Sequence, residues 1–177
     1  MQIDYVTGDL LKADQIVVVH GCNARGAFGS GVAGAIRRTW PWACDAYLDA
    51  FRDHFRPLTL GEVIWAIDTG PGRPSRIVGN LITQQDYGRD PNRRYVDYEA
   101  VRAAMHKVNE FVQHINYGDI ELPDVTAVHE VAMPLIGCGL GGGEWPVVAD
   151  IIASEARHFT PVVYTRDGIV PGVSRSS

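Results

Sequence analysis

The residues of this sequence best suited to chemistry are two glycine-rich runs and a histidine. Residues 20–31 read His-Gly-Cys-Asn-Ala-Arg-Gly-Ala-Phe-Gly-Ser-Gly, and residues 135–143 read Leu-Ile-Gly-Cys-Gly-Leu-Gly-Gly-Gly. Each run follows a β-branched apolar segment and opens a stretch with helical periodicity. A backbone without side chains can approach a phosphate closely, and a helix start behind it adds unsatisfied N–H groups and a positive dipole end. Two such turns in one domain point to a diphosphate held between residues 26–31 and 137–143, with opposed helix N-termini embracing it from both sides. His20 stands at the end of the strand that leads into the first run. An imidazole titrates near neutrality, so His20 is a candidate general acid or base, or a group that orients an attacking water. The alternative is a strand-end histidine that bonds a nearby carbonyl. Asp86, Asp90 and Glu144 are candidate carboxylates to work with it, although Glu144 is equally explained as a first-turn residue favoured by the helix dipole.

Several other chemistries are excluded by spacing or composition. Residues 29–34 match the pattern GxGxxG, but a dinucleotide-binding turn begins its glycines at the strand end and is followed about 20 residues on by an acidic strand tip. Here that region, Cys44–Phe55, has the periodicity of a second helix. No GK[ST] follows either glycine run, which excludes a P-loop. The three cysteines, Cys22, Cys44 and Cys138, are too few for a disulfide framework and lack zinc-finger spacing to histidine, so neither metal nor cofactor is indicated. Cys22 and Cys138 lie in the glycine loops and read as packing residues rather than nucleophiles. The formal net charge of −5 argues against extended binding to a nucleic-acid backbone. It leaves room for one small anion held by backbone N–H groups. Arg89, Arg93 and Arg94 could reach a ligand phosphate or a modified macromolecule, or form a solvated charge run.

The elements that must position these residues follow from patterning. Strands are expected at Ile3–Thr7, Ile16–His20, Glu62–Ile67, Arg76–Ile82, Ala127–Pro134 and Pro161–Thr165, each short and rich in β-branched residues. Helices are expected at Val32–Thr39 and Ala43–Phe55, and where Tyr98 to Ile115 and Trp145 to Phe159 carry apolar residues at helical spacing. Their alternation predicts a three-layer α/β/α sandwich around a mixed, mostly parallel central sheet. Asp68–Ser75, Asp86–Arg94 and Tyr117–Thr126 have loop composition. At 177 residues the chain is expected to form one domain over residues 1–166, with 167–177 a flexible tail. No apolar run is long enough to cross a bilayer and no signal-peptide pattern opens the sequence, which leads us to expect a soluble, cytoplasmic protein.

At the two glycine loops the sequence resembles the macro domains, the ADP-ribose-binding family. The matching pieces are Gly8-Asp9-Leu10, Asn23 with Gly29-Ser30-Gly31-Val32-Ala33 and the helix at Ala35-Ile36, and Met133-Pro134 with Ile136-Gly137-Cys138-Gly139-Leu140 and Glu144-Trp145. They occur in the family's order across nearly the whole chain; Trp40–Val78 matches only as a pattern of elements. The resemblance implies that Asp9, beside Leu10, bonds the adenine amino group; a capping or turn role is the alternative. It implies that Gly29, Ser30, Gly31 and Val32, with Gly137, Cys138, Gly139, Leu140 and Gly141, contact the diphosphate. Asn23 would face the distal ribose or close an Asx turn, Thr83 would border the ligand, and Tyr164 would lie near adenine or pack the sheet. The Gly-Cys-Gly-Leu and Met-Pro signatures resemble the branch of the terminal ADP-ribose glycohydrolase and the fungal ADP-ribose-1″-phosphate phosphatase. The glycohydrolase uses a lysine after Leu-Ile-Thr and an aspartate after Gly-Cys-Gly-Leu, whereas this chain has Gln84 and Gly141. Neither an amine adduct nor carboxylate proton transfer is available from those residues. The phosphatase-like members carry a histidine matching His20. The expected function is therefore binding of ADP-ribose or an ADP-ribosylated macromolecule with hydrolysis of an ADP-ribose derivative, the alternative being a non-catalytic reader.

Overall fold

Strand and helix alternate as the patterning predicts, and the departures fall at element ends. A computed structural model describes residues 2–54, 58–70 and 74–172. Along the chain it contains β1 (Asp4–Thr7), a single 3₁₀ turn (Leu10–Lys12), β2 (Val17–Asn23), α1 (Gly31–Thr39), α2 (Pro41–His54) and β3 (Val63–Asp68). There follow β4 (Arg76–Gln84), α3 (Tyr98–Asn116), β5 (Glu130–Met133), α4 (Trp145–Glu155) and β6 (Thr160–Thr165). Phe55, residues 71–73 of the expected loop and residues 173–177 of the expected tail lie outside the described residues.

The strands form a single sheet in the order β1-β6-β5-β2-β4-β3. Every neighbouring pair is parallel except β3 with β4, which is antiparallel. This is the expected three-layer α/β/α arrangement. Val17 and Val19 of β2 pack with the apolar stripes of α3 and α4, while Cys22 packs with α1 and α2 on the opposite face. Val18 joins Leu10 and Ala132 in a smaller cluster. Side chains alternate across a strand, so a strand covered on both faces must be apolar at consecutive positions, which accounts for Val17-Val18-Val19.

The chain leaves β2 through α1 and α2 on one face to reach β3 and β4, then leaves β4 through α3 on the other face to reach β5. The carboxyl ends of β4, β2 and β5 are therefore a switch point, where the covering elements diverge and a cleft can open. Asp97 caps the start of α3: its carboxylate accepts the Ala100 N–H at 2.9 Å.

The apolar periodicity from Trp145 to Phe159 predicts a helix four residues longer than α4. The buried Asn109 of α3 gives the reason: its Oδ1 accepts the Arg157 and His158 N–H groups at 2.7 and 2.9 Å and turns the chain out of the helix. Phe159 still enters the core, but from the bend before β6. Asn109→Ala leaves two backbone donors without that acceptor and should cost about 2 kcal/mol. Urea denaturation checks this, and a midpoint equal to wild type would show that the bend does not depend on Asn109.

Candidate functional site

A cleft of about 870 Å³ opens at the carboxyl ends of the strands and is lined by both glycine loops. This is the size of a small-molecule site. Its wall runs from Gly8, Asp9 and Tyr164 beside β1 and β6, past the loops after β5 and β2, to Thr83 and Gln84 at the end of β4. Four strand spacings of roughly 4.8 Å make that wall about 19 Å long.

The first loop is built by Asn23. Its Oδ1 accepts the Arg25 and Ala27 N–H groups at 2.9 and 3.2 Å, and its Nδ2 donates to the Ala27 carbonyl at 2.6 Å. The Tyr47 hydroxyl donates to the Asn23 carbonyl at 2.7 Å and accepts the Gly26 N–H at 3.0 Å. Gly26 has φ +76°, and a Cβ there would meet the Phe51 ring at 2.7 Å. The loop delivers Ser30 as the N-cap of α1, in extended backbone and with no side-chain capping bond. The first-turn N–H groups of a helix have no partner within it, and here Ser30, Gly31, Val32 and Ala33 form cleft wall. Gly29 precedes them and is exposed but does not itself line the cleft.

The second loop folds differently from expectation. Gly137 has φ +73°, and the Gly143 N–H returns to the Gly137 carbonyl at 2.8 Å. Residues Pro134 to Gly141 line the cleft, but Gly142 to Trp145 do not. The start of α4 is therefore no part of the wall, and the second loop presents a backbone turn in place of the opposing helix terminus. The two loops meet at the cleft: Leu140 Cδ1 lies 4.0 Å from where a Gly31 Cβ would stand. A Cβ at Gly141 would come within 2.5 Å of the Gly137 carbonyl oxygen. This backbone excludes an aspartate at position 141.

At the β1–β6 end, Asp9 serves as a cap and as wall together. Its Oδ1 accepts the Leu11 N–H at 3.1 Å, fixing the 3₁₀ turn in which Leu10 is buried. The Tyr164 hydroxyl donates to Gln15 Oε1 at 2.9 Å, and its ring lies against Gly8. Arg166, Asp167 and Ile169 complete this end, although the sequence places the last two in a tail. The segment stays on the domain as far as Gly172, where a Cβ would meet Pro146 at 2.6 Å.

His20 is fully buried and does not line the cleft. The Asn80 amide donates to the carbonyls of Ala43 and Ile64, which leaves Asn80 Oδ1 as an acceptor for the His20 Nε2–H at 2.7 Å. Phe28 packs edge-on against the imidazole at 5.4 Å, and Cys22 Sγ lies 3.7 Å from both ring nitrogens. Burial pushes the His20 pKa down from 6.5 to about 4, so the ring is neutral at physiological pH. Burial also raises the Cys22 thiol, and raises Cys138 to about 11. Neither cleft cysteine is a thiolate nucleophile. Asn80 was not singled out from the sequence; a lone amide in the run Ile77–Ile82 was the available signal.

The three candidate carboxylates also lie off the cleft wall. Asp86 is held below the usual carboxylate range by Arg25 at 2.9 Å and Arg93 at 3.1 Å. Asp90 accepts the Asn92 N–H in a turn, and Glu144 is exposed beside the Tyr98 hydroxyl. Of the arginines after β4, Arg89 lines the cleft together with Tyr87, while Arg93 and Arg94 lie over the rings of Tyr95 and Tyr98. Gln84 lines the cleft with its amide donating to the Asp86 carbonyl at 2.8 Å. Among the described residues no cluster of three His, Cys, Asp or Glu side chains is placed to hold a metal, and no helix is long and apolar enough to cross a membrane.

A glycine-lined cleft at the switch point of a three-layer α/β sheet, with an uncapped helix N-terminus in its wall, defines a protein that takes a phosphate-bearing ligand. The macro domain model matches residues 19–152, and the chain belongs to the macro domain family. An uncharacterized 17.5 kDa protein of Enterobacteria phage T4 is 29% identical over 92% of this chain and 96% of its own length. The DNA ADP-ribosyl glycohydrolase of Mycobacterium tuberculosis is 26% identical over 90% of this chain, which spans only 40% of that enzyme. An ADP-ribose 1″-phosphate phosphatase of Meyerozyma guilliermondii is 26% identical over 81% of this chain and 88% of its own. Among solved structures, the macrodomain of Mycobacterium tuberculosis DarG superposes with a TM-score of 0.73 at 25% identity, covering 92% of this chain and 97% of that one.

Because His20 is buried neutral, the unfolded chain binds a proton between pH 6.5 and 4 that the folded chain does not. The stability contributed by the neutral ring is complete above pH 6.5 and falls as the pH drops through that window, by about 2 kcal/mol from pH 7.5 to 5.0. His20→Gln, which keeps an amide donor for Asn80 Oδ1, should lose that component of the pH dependence. Urea titrations at the two pH values measure it; the same acid sensitivity in both proteins would contradict this assignment.

Proposed function

We propose that the cleft binds an ADP-ribose moiety and that the protein hydrolyses an ADP-ribose derivative, either an ADP-ribosyl linkage on protein or nucleic acid or ADP-ribose-1″-phosphate. The observation that carries this reading is the meeting of the two glycine loops over the uncapped start of α1. It gives a diphosphate several backbone donors and a dipole end in a partly enclosed space. Adenine lies toward Asp9 and Tyr164, the diphosphate between residues 30–32 and 137–141, and the distal ribose toward Asn23, Thr83 and Gln84. In this arrangement catalysis rests on holding the distal ribose in position for attack by water. His20 acts from behind, supporting the loop through Asn80 and Phe28 rather than transferring a proton. The activities named for the bacterial and fungal relatives support a hydrolase. The three unpaired cysteines suit a reducing cytoplasm.

Gln84 and Gly141 favour a second reading, a module that binds ADP-ribose and leaves it intact. Calorimetry with ADP-ribose, AMP and NAD tests binding. Product analysis with ADP-ribose-1″-phosphate, ADP-ribosylated protein and ADP-ribosylated DNA then separates hydrolase from reader. Gly139 lines the cleft, and a Cβ there would meet nothing within 4 Å. Gly139→Glu should therefore keep the wild-type Tm while weakening ADP-ribose binding at least about 100-fold, since its carboxylate opposes the diphosphate. Unchanged affinity would refute the two-loop grip.

A further inference from the structure

Between β4 and α3 the chain forms a loop, residues 85–95, that the ADP-ribose reading leaves without a task. The loop is firmly built. Asp86 joins Arg93 to Arg25 of the first glycine loop, and the Tyr95 and Val96 N–H groups share the Gly141 carbonyl of the second at 2.8 and 3.0 Å. A Cβ at Gly88 would collide with the Tyr95 hydroxyl, so the chain between Tyr87 and Arg89 is packed in place. What this frame presents to solvent is aromatic and cationic. Tyr87 is 60% exposed although it lines the cleft. Arg89 is exposed as well, and among the described residues it is the only charged side chain on the β4 half of the wall. Arg94 is exposed with its guanidinium 4.4 Å from the Tyr98 ring centroid, and a guanidinium lying on a ring still has N–H groups to give. Asp86 occupies Arg25 and Arg93, whereas neither Arg89 nor Arg94 has a carboxylate partner among the described residues. In a chain of net charge −5, that leaves a local cationic rim beside an uncovered tyrosine.

We propose that this loop binds a short stretch of single-stranded nucleic acid, the strand that carries the ADP-ribose, with a base stacked on Tyr87 and neighbouring phosphates on Arg89 and Arg94. This rests on the ADP-ribose reading above, which sends the distal ribose, and so whatever is attached to it, toward β4. The surface lies beyond the ADP-ribose itself and contacts its carrier. An acidic peptide would meet the two arginines but leave the tyrosine ring in water. Each nucleotide of a strand supplies both a flat base and a phosphate that fits an arginine fork. The contact takes about one phosphate per arginine, so it does not need the extended basic surface that the net charge argues against.

Amide spectra of isotope-labelled protein, saturated with ADP-ribose so that the cleft is filled, test this during titration with an unmodified single-stranded DNA oligonucleotide of about ten nucleotides and with the same sequence in RNA. Shifts should gather on residues 86–94 with at least one of the two strands. Tyr87→Ala should weaken that binding about tenfold. Arg89→Gln and Arg94→Gln should each flatten the dependence of log Kd on log salt concentration by about 0.7. All three side chains are exposed, and the variants should keep the wild-type Tm. An acidic peptide of equal charge should bind at least about tenfold more weakly than the strand, since it gains no stacking. Shifts that are absent or centred elsewhere, a peptide that binds as tightly as either strand, or wild-type affinity in Tyr87→Ala would overturn the proposal. Wild-type protein that does not bind ADP-ribose overturns the ADP-ribose reading instead, and the same titration without ADP-ribose still decides whether the loop takes a strand.

Discussion

The parallel ladder around β2 is unequal on its two sides, and the cleft depends on that inequality. With β4 the pairing runs the whole length of β2, from Val17 opposite Ile77 to Asn23 opposite Gln84. With β5 it covers only Val17 and Val18. Beyond that point residues 135–141 turn away, and the backbone of Gly21, Cys22 and Asn23 becomes wall rather than sheet interior. Had β5 continued beside β2, the N–H and C=O groups at that edge would have been spent on the ladder and no opening would remain at the switch point. The glycines follow from this geometry: Gly137 reverses the chain under Val96, and Gly21 lets it pass close to Thr83 and Ile136.

Most of the fold was legible because burial on both faces writes itself into sequence as short β-branched runs, and burial on one face of a helix as a 3.6-residue stripe. Among the described residues, six strands and four α-helices appear where those patterns lie. The end of α4 was not legible, since Phe159 continues the stripe in sequence while a carboxamide on another helix, Asn109, redirects the backbone. The glycine loops announced the site but not its asymmetry. Whether a helix start after a glycine run faces the ligand depends on how the turn closes, and the return of Gly143 to Gly137 takes α4 off the wall. The contribution of residues 166–169 was also hidden, because Arg-Asp-Gly-Ile states a turn and not what that turn covers.

His20 shows the same limit at the level of one side chain. Three consecutive valines before it carry no phase, so the sequence cannot say which face of the sheet the imidazole takes. The structure puts it on the α1–α2 face, where Asn80 and Phe28 enclose it, two residues along the strand from Cys22. A histidine next to a ligand loop and a histidine within one are a single residue apart in register, and the period of two in a strand separates scaffold from chemistry.

On the proposed reading, the consequence is a reacting end without a side chain that titrates near neutrality. The His20 pKa lies near 4, burial holds Cys22 as a thiol, Cys138 is raised to about 11, and Asn23, Thr83 and Gln84 carry no charge. In the proposed complex the charge of the diphosphate is met instead by backbone N–H groups and the α1 dipole, which persist at any pH and are weakened little by salt when enclosed. A site of this kind holds the same electrostatic character across the neutral range. On the proposed reading, a proton exchanged during turnover comes from water or from the substrate itself, and these residues contribute the orientation of the distal sugar.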